Sequence, residues 1–147
     1  MKTTILVLSL FTISLIANAQ KTPPEVVTKT FAEKFENAEK VKWTKEEATE
    51  WEAEFKINGK ETSALFDLSG KWLETETGIE KNELPPAVKA AIDHQFAGCK
   101  FGEASHIETP EFTGYEIAVK SRGKEIEVQV TKDGKLKVKD DSEETNK

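Results

Sequence analysis

WEAEFKINGKE at residues 51–61 is answered by YEIAVKSRGKE at residues 115–125, an offset of 64. In the first stretch Trp51, Ala53, Phe55 and Ile57 alternate with Glu50, Glu52, Glu54 and Lys56. Side chains of a strand point alternately to its two faces, so this pattern reads as a strand with one apolar and one solvated side. Shifted by 64, the apolar set falls on Tyr115, Ile117, Val119 and Ser121. LFDLSGKW at 65–72 is answered by VQVTKDGKL at 128–136, with Ala64, Phe66 and Trp72 falling on Val128, Val130 and Leu136. A one-residue slip would turn every side chain to the wrong face. Apolar meets apolar throughout except for Ile57 on Ser121, so the chain is an internal duplication.

The echo extends upstream. PPEVVTKTFAEKFENAEKVKW at 23–43 matches PPAVKAAIDHQFAGCKFGEA at 85–104, with Pro23-Pro24 on Pro85-Pro86 at an offset of 62. The drift from 62 to 64 implies two inserted residues between helix and second strand. Each half opens with a helix begun by its Pro pair, since proline is tolerated in a first turn, where its missing N–H would have had no partner; Thr22 is the candidate cap of the first. Val27, Phe31 and Phe35, with Val26, Ala32 and Ala38, form one apolar stripe, and Val88, Ala91, Ile92 and Phe96 the other. Asn58-Gly59, Ser69-Gly70, Arg122-Gly123 and Asp133-Gly134, each followed by Lys, mark hairpin turns, because glycine supplies the positive φ of a tight turn. A phosphate loop would need a longer glycine-rich run leading into a helix, and these lead into strands.

Strands are therefore expected near 41–46, 49–57, 60–68 and 71–77, then 103–109, 112–121, 124–131 and 135–139. The fold class is α+β: two tandem α-β-β-β-β repeats, 22–77 and 84–139, whose two helices pack on one face of an antiparallel sheet of up to eight strands. Gly78 to Leu84 is read as a linker, and residues 140–147 as a charged, disordered tail.

The first nineteen residues carry Lys2, an apolar run from Ile5 to Ile16 and the small-x-small tripeptide Ala17-Asn18-Ala19, the pattern of a secretory signal peptide cut between Ala19 and Gln20. The run is about twelve residues, against roughly twenty for a membrane span. Gln20 stands where a lipoprotein needs cysteine. The mature chain of 128 residues, 20 basic and 27 acidic, is thus expected free in the periplasm or outside the cell, without membrane insertion. Its acidic balance argues against nucleic acid, which needs a basic surface.

Cys99 is the sole cysteine, so an internal disulfide is excluded. No nucleophile signature surrounds it, and it reads as a structural thiol. The acidic clusters lack the loop spacing that calcium requires. Paired catalytic carboxylates need a cleft, which nothing in the pattern indicates. No catalytic, metal-binding or cofactor-binding residues are expected.

Trp51, Trp72 and, by its alternation with Val41, Trp43 fall on inward positions, as core rather than binding residues. The opposite face carries Glu52, Glu54 and Lys56, Thr62 or its neighbours, Glu116, Ala118 and Lys120, Glu125, Glu127 and Gln129, then Lys135, Lys137 and Lys139. No apolar hot spot interrupts this set. Either it is a solvated face that keeps the sheet soluble, or it is a polar docking surface; Glu52, Glu54, Lys56, Glu116, Lys120, Glu125 and Glu127 are the candidate partner-facing residues.

The signal segment, the Pro-started helix with Val27, Phe31 and Phe35, VKW at 41–43, the hairpin series WEAEFKINGKETSALFDLSGKWLETE and LPPAVKAAI opening the second copy together resemble the PepSY-like, β-lactamase-inhibitor-like domains of exported bacterial proteins. The likeness spans essentially the whole mature chain. It implies a fold like that of the tandem-repeat β-lactamase inhibitor proteins, with helices on one side of a sheet and a partner on the other. Such families also include inhibitory pro-segments of secreted peptidases. The two disulfides associated with the inhibitors cannot form with Cys99 alone. The expected function is a non-enzymatic module that binds a protein partner and is inhibitory if the likeness extends that far. The alternative is a periplasmic sensor of a small molecule or ion, with a pocket between the repeats. Intact-mass analysis of the exported protein is expected to show a chain beginning at Gln20, and retention of residues 1–19 would refute the cleavage.

Overall fold

The computed structural model describes residues 22–139. The signal segment with Ala19 and Gln20, and the tail 140–147, lie outside the described residues. The elements run α1 (Glu25–Lys34), β1 (Glu39–Glu47), β2 (Glu50–Ile57), β3 (Lys60–Asp67), β4 (Trp72–Gly78), a 3-10 turn (Lys81–Glu83), α2 (Pro86–Gln95), β5 (Lys100–Glu108), β6 (Thr113–Ser121), β7 (Lys124–Val130) and β8 (Leu136–Val138). The strands lie in chain order in an eight-stranded antiparallel sheet. By internal contacts, the described residues group into one unit of 22–78 with 107–112 and a second of 79–106 with 113–139.

In the first unit Val27 and Phe31 of α1 pack with Trp51, Ala53, Phe55, Ala64 and Phe66, with Phe35, Trp43 and Trp72 at the margin. Phe31 is the centre: its ring lies 5.1 Å from Phe55, 5.2 Å from Trp43 and 5.3 Å from Phe35, mostly tilted or edge-on, as aromatic quadrupoles prefer. In the second unit Val88 and Ile92 of α2 pack with Ile117, Val119, Val128 and Val130. All three tryptophans belong to the first core, Trp51 fully buried and Trp43 and Trp72 half-buried.

The duplication has a different register from the one expected upstream. Val27 is matched by Val88 and Phe31 by Ile92, while the N–H groups of Phe35 and Phe96 close their helices on Phe31 and Ile92. The helices and first strands therefore correspond at an offset of 61 rather than 62. The change to 64 falls in the loops joining first and second strands, between Glu47 and Glu50 in one repeat and Glu108 and Thr113 in the other. Pairing the two Pro-Pro dipeptides puts the second helix one residue out of phase, because Pro24 and Pro85 hold the N-cap position. Thr22 is not the cap: the N–H groups of Val27 and Thr28 donate to the Pro24 carbonyl. The apolar stripe of α1 is also narrower than read, with Val26 and Ala32 exposed.

The segment read as a linker is ordered. The Ile79 N–H donates to Ala104 at 2.9 Å, the Glu83 carboxylate accepts from the Glu80 N–H, and Leu84 is fully buried in the second core.

The turns pin the strands to the helices. Asn58 and Gly59, like Arg122 and Gly123, both take positive φ and join directly paired residues, Ile57 with Lys60 and Ser121 with Lys124. That is the twist-matched two-residue hairpin. Gly70 and Gly134 carry a further constraint, since a Cβ at either would lie 2.9 Å from a backbone oxygen of the local helix, Val26 or Ala87. Gly59→Ala pays only the positive-φ penalty, about 1–2 kcal/mol. Gly70→Ala is expected to cost at least about twice that, because backbone must also move; equal losses in chemical denaturation would refute the close approach.

Candidate functional site

The second face of each unit is built by parity. Across β2 and β3, Glu52 pairs with Leu65 and Glu54 with Ser63; across β3 and β4, Leu65 pairs with Glu74 and Ser63 with Glu76. These side chains stand opposite the helix-packed set. Lys56 ion-pairs with Glu61 at the hairpin end. In the second unit Glu116 pairs with Gln129, Ala118 with Glu127 and Lys120 with Glu125, and Gln129 continues to Lys137. The partner-facing candidates Glu52, Glu54, Lys56, Glu116, Lys120, Glu125 and Glu127 thus all occupy the face turned from the helix of their own unit.

Two placements differ from the reading. Thr62 is buried and pairs with Phe55, on the inward parity of Ala64 and Phe66. And Leu65 does interrupt the polar face, half-buried between Glu52 and Glu74. Glu74 and Glu76 reach this face because a bulge breaks the register of β4 between Trp72 and Glu74: Trp72 faces Phe66, Thr75 faces Ala64 and Thr77 faces Thr62. Plain alternation from Trp72 would have put both glutamates in the core.

The carboxylates are not passive. Glu52 is pushed up to about 7, first by burial, then by the charge and hydrogen bond of Glu46 and the charge of Glu54, against a lowering hydrogen bond from Ser63. In the second unit Lys139 Nζ lies 3.1 Å from Glu116 Oε2 and 3.6 Å from Glu127 Oε1, and Gln129 Nε2 donates to Glu116 at 3.2 Å. Burial pushes Glu127 up to about 8, helped by its hydrogen bond and charge coupling to Glu116. Burial acts the same way on Glu116, but hydrogen bonding to Glu127, the Lys139 charge and Gln129 prevail and hold it below the usual range. The two carboxyls are thus pushed in opposite directions, Glu127 toward its protonated form and Glu116 toward its charged form, and Lys139, next after β8, lies against both.

Cys99 is half-buried against the second core, and burial, then the Asp93 charge, raise its pKa, the reverse of an activated thiolate. His106 stacks edgewise on Tyr115 at 5.3 Å, and His94 is exposed at the end of α2. Among the described residues no three His, Cys, Asp or Glu side chains are grouped to hold a metal ion. A cleft of about 300 Å³ beside α2 is lined by Ala91, His94, Gln95, Gly134, Leu136 and Val138, and a shallower one by Glu80, Lys81, Asn82 and Lys89.

A helix laid on one side of four antiparallel strands, twice in tandem, defines an α+β domain of the β-lactamase-inhibitor-like class. The sequence pattern described as "Putative beta-lactamase-inhibitor-like, PepSY-like" matches residues 49–138, and the chain belongs to that PepSY-like family. Among solved structures it is similar to a BLIP-like protein from Bacteroides fragilis NCTC 9343, with a TM-score of 0.76 and 25% identity over 84% of this chain and 89% of that one. A DUF2874-family protein from Bacteroides uniformis ATCC 8492 matches with a TM-score of 0.72 and 20% identity over 80% and 89%. A chain from Bacteroides eggerthii DSM 20697, described as one of the "putative periplasmic proteins", matches at 0.69 and 19% over 80% and 89%. No curated protein matches the sequence.

The pH response follows from the pair. A carboxyl whose pKa folding raises keeps its proton while the unfolded chain loses it, so stability falls as pH rises from about 4.5 to about 8. The lowered Glu116 acts below that window, contributing stability above 4.5 that is lost as pH falls through its folded value. Glu127→Gln keeps a hydrogen-bond donor toward Glu116 and removes the titration. The wild-type Tm is expected to fall between pH 5 and 8.5, and the variant's to fall less, by on the order of 4 °C; parallel thermal curves would refute the raised pKa of Glu127.

Proposed function

We propose that the mature chain is an exported, non-enzymatic binding module that holds a protein partner on the sheet face turned from its helices. The carrying observation is the composition of that face. Half-buried carboxylates, cross-strand charge pairs and a central Leu65 make a polar surface with an apolar point, as recognition surfaces have. The grouping of titratable side chains supports the non-enzymatic part, since Cys99 is shifted away from reactivity and the carboxylates line a face rather than a cleft. The signal segment supports export, and the periplasmic description of the Bacteroides eggerthii relative agrees with that address. The BLIP-like relative favours a protein as the partner, with inhibition as one outcome of binding.

A photo-crosslinking residue placed at Glu54, Lys120 or Glu125 and activated in the native exported compartment is expected to give an adduct of discrete mass. At Glu33, on the exposed side of α1, it is expected to give none. Adducts at Glu33 alone, or at none of the four positions, would overturn the assignment of the binding face.

A further inference from the structure

The last strand of each repeat meets its helix with different side chains. In the first unit the Trp72 ring lies under the Lys34 ammonium, 3.9 Å from the ring centroid, and its Nε1–H donates to Thr75 Oγ1 at 2.8 Å. Trp72 stands opposite Phe66, and Thr75 opposite Ala64. In the second unit Leu136 stands opposite Val130 and Val138 opposite Val128, the counterparts of Phe66 and Ala64. Gln95 ends α2 as Lys34 ends α1. Trp72, Thr75 and Lys34 of one repeat are thus Leu136, Val138 and Gln95 of the other.

Those three residues, with Ala91, His94 and Gly134, line the cleft of about 300 Å³ beside α2. Exposure follows the exchange. Thr75 is buried, whereas Val138 is 41% exposed. Among the described residues of this unit Val138 is the one large apolar side chain so open to water, and that exposure is unfavourable until something covers it. The first repeat closes the same place with its own indole. We infer that the cleft binds a small, free aromatic molecule of indole size, its ring laid on Leu136 and Val138 where Trp72 stands in the first unit, and its polar group turned to His94 and Gln95. The volume lies at the small end of ligand pockets. A single apolar residue in a polar setting falls far short of the core of a protein interface, so a free molecule fits better than a partner's side chain. The cleft borders α2, apart from the sheet face proposed for a protein partner, so either assignment can fail without the other.

The isotope-labelled mature chain is titrated with indole, N-acetyltryptophanamide and cyclohexanol, and followed by its backbone amide resonances. Indole is expected to give saturable shifts at Ala91, Gln95, Gly134 and Val138 and none at Val26 and Leu68, the exposed apolar side chains beside α1 and after β3. Leu136→Trp/Gln95→Lys, which gives the second repeat the ring and ammonium of the first, is expected to weaken indole by at least about tenfold, the loss of one ring's apolar contact. Val138→Asn, at an exposed position, is expected to weaken it by about threefold and decides the matter if the double variant does not fold. Absence of saturable shifts overturns the inference, as do equal shifts at Leu68 and Val138, which mark unspecific adhesion. Cyclohexanol binding as tightly as indole overturns the aromatic preference, and N-acetyltryptophanamide binding more tightly overturns the free molecule in favour of a partner's side chain. A folded double variant that binds indole like the wild type overturns the location.

Discussion

Phe31 reaches from α1 into a nest of rings, with Phe55, Trp43 and Phe35 all within 5.3 Å of its centroid and Phe66 at 6.2 Å. A buried aromatic of this kind is worth about 3–5 kcal/mol by truncation, a large share of a small domain's net stability. It fixes the helix over β2 and β3, and that contact sets the parity of every strand in the unit. The second unit reaches the same arrangement with Val88, Ile92 and aliphatic partners. Each helix covers one side of its strands, and the side left over must be compatible with water.

What evolved on that second side differs between the copies. One carries a balanced carboxylate pair under Lys139, which closes the last strand; the other carries Glu74 and Glu76 at the places of Lys137 and Lys139. A duplication gives an internal comparison for such a surface. Positions where both copies agree, such as Gly70 with Gly134 against a helix carbonyl, report on folding. Positions where they differ are free to report on something else.

Much of this is legible from residues alone. The strand alternation, the hairpin glycines and the repeat locate all eight strands, and the inward placement of Trp43, Trp51 and Trp72 holds. So does the outward placement of Glu52, Glu54, Lys56, Glu116, Lys120, Glu125 and Glu127. The errors have local causes. The matching Pro-Pro dipeptides suggest a helix register one residue off, because they match in residue type while the helices match in their buried faces, Val27 with Val88 and Phe31 with Ile92. Leu84 reads as linker, since one apolar residue among polar neighbours carries no period.

The amino-acid sequence by itself determined which side chains could share a face, because strand period and turn chemistry are local properties of the chain. Only the tertiary structure decided which face Glu74 and Glu76 occupy and what Glu127 and Lys139 do. A bulge at Leu73 is a choice made by cross-strand pairing, and it reverses the parity of everything after it. The raised pKa of Glu127 likewise arises only in the fold, from burial first and then from Glu116, which a different strand brings beside it.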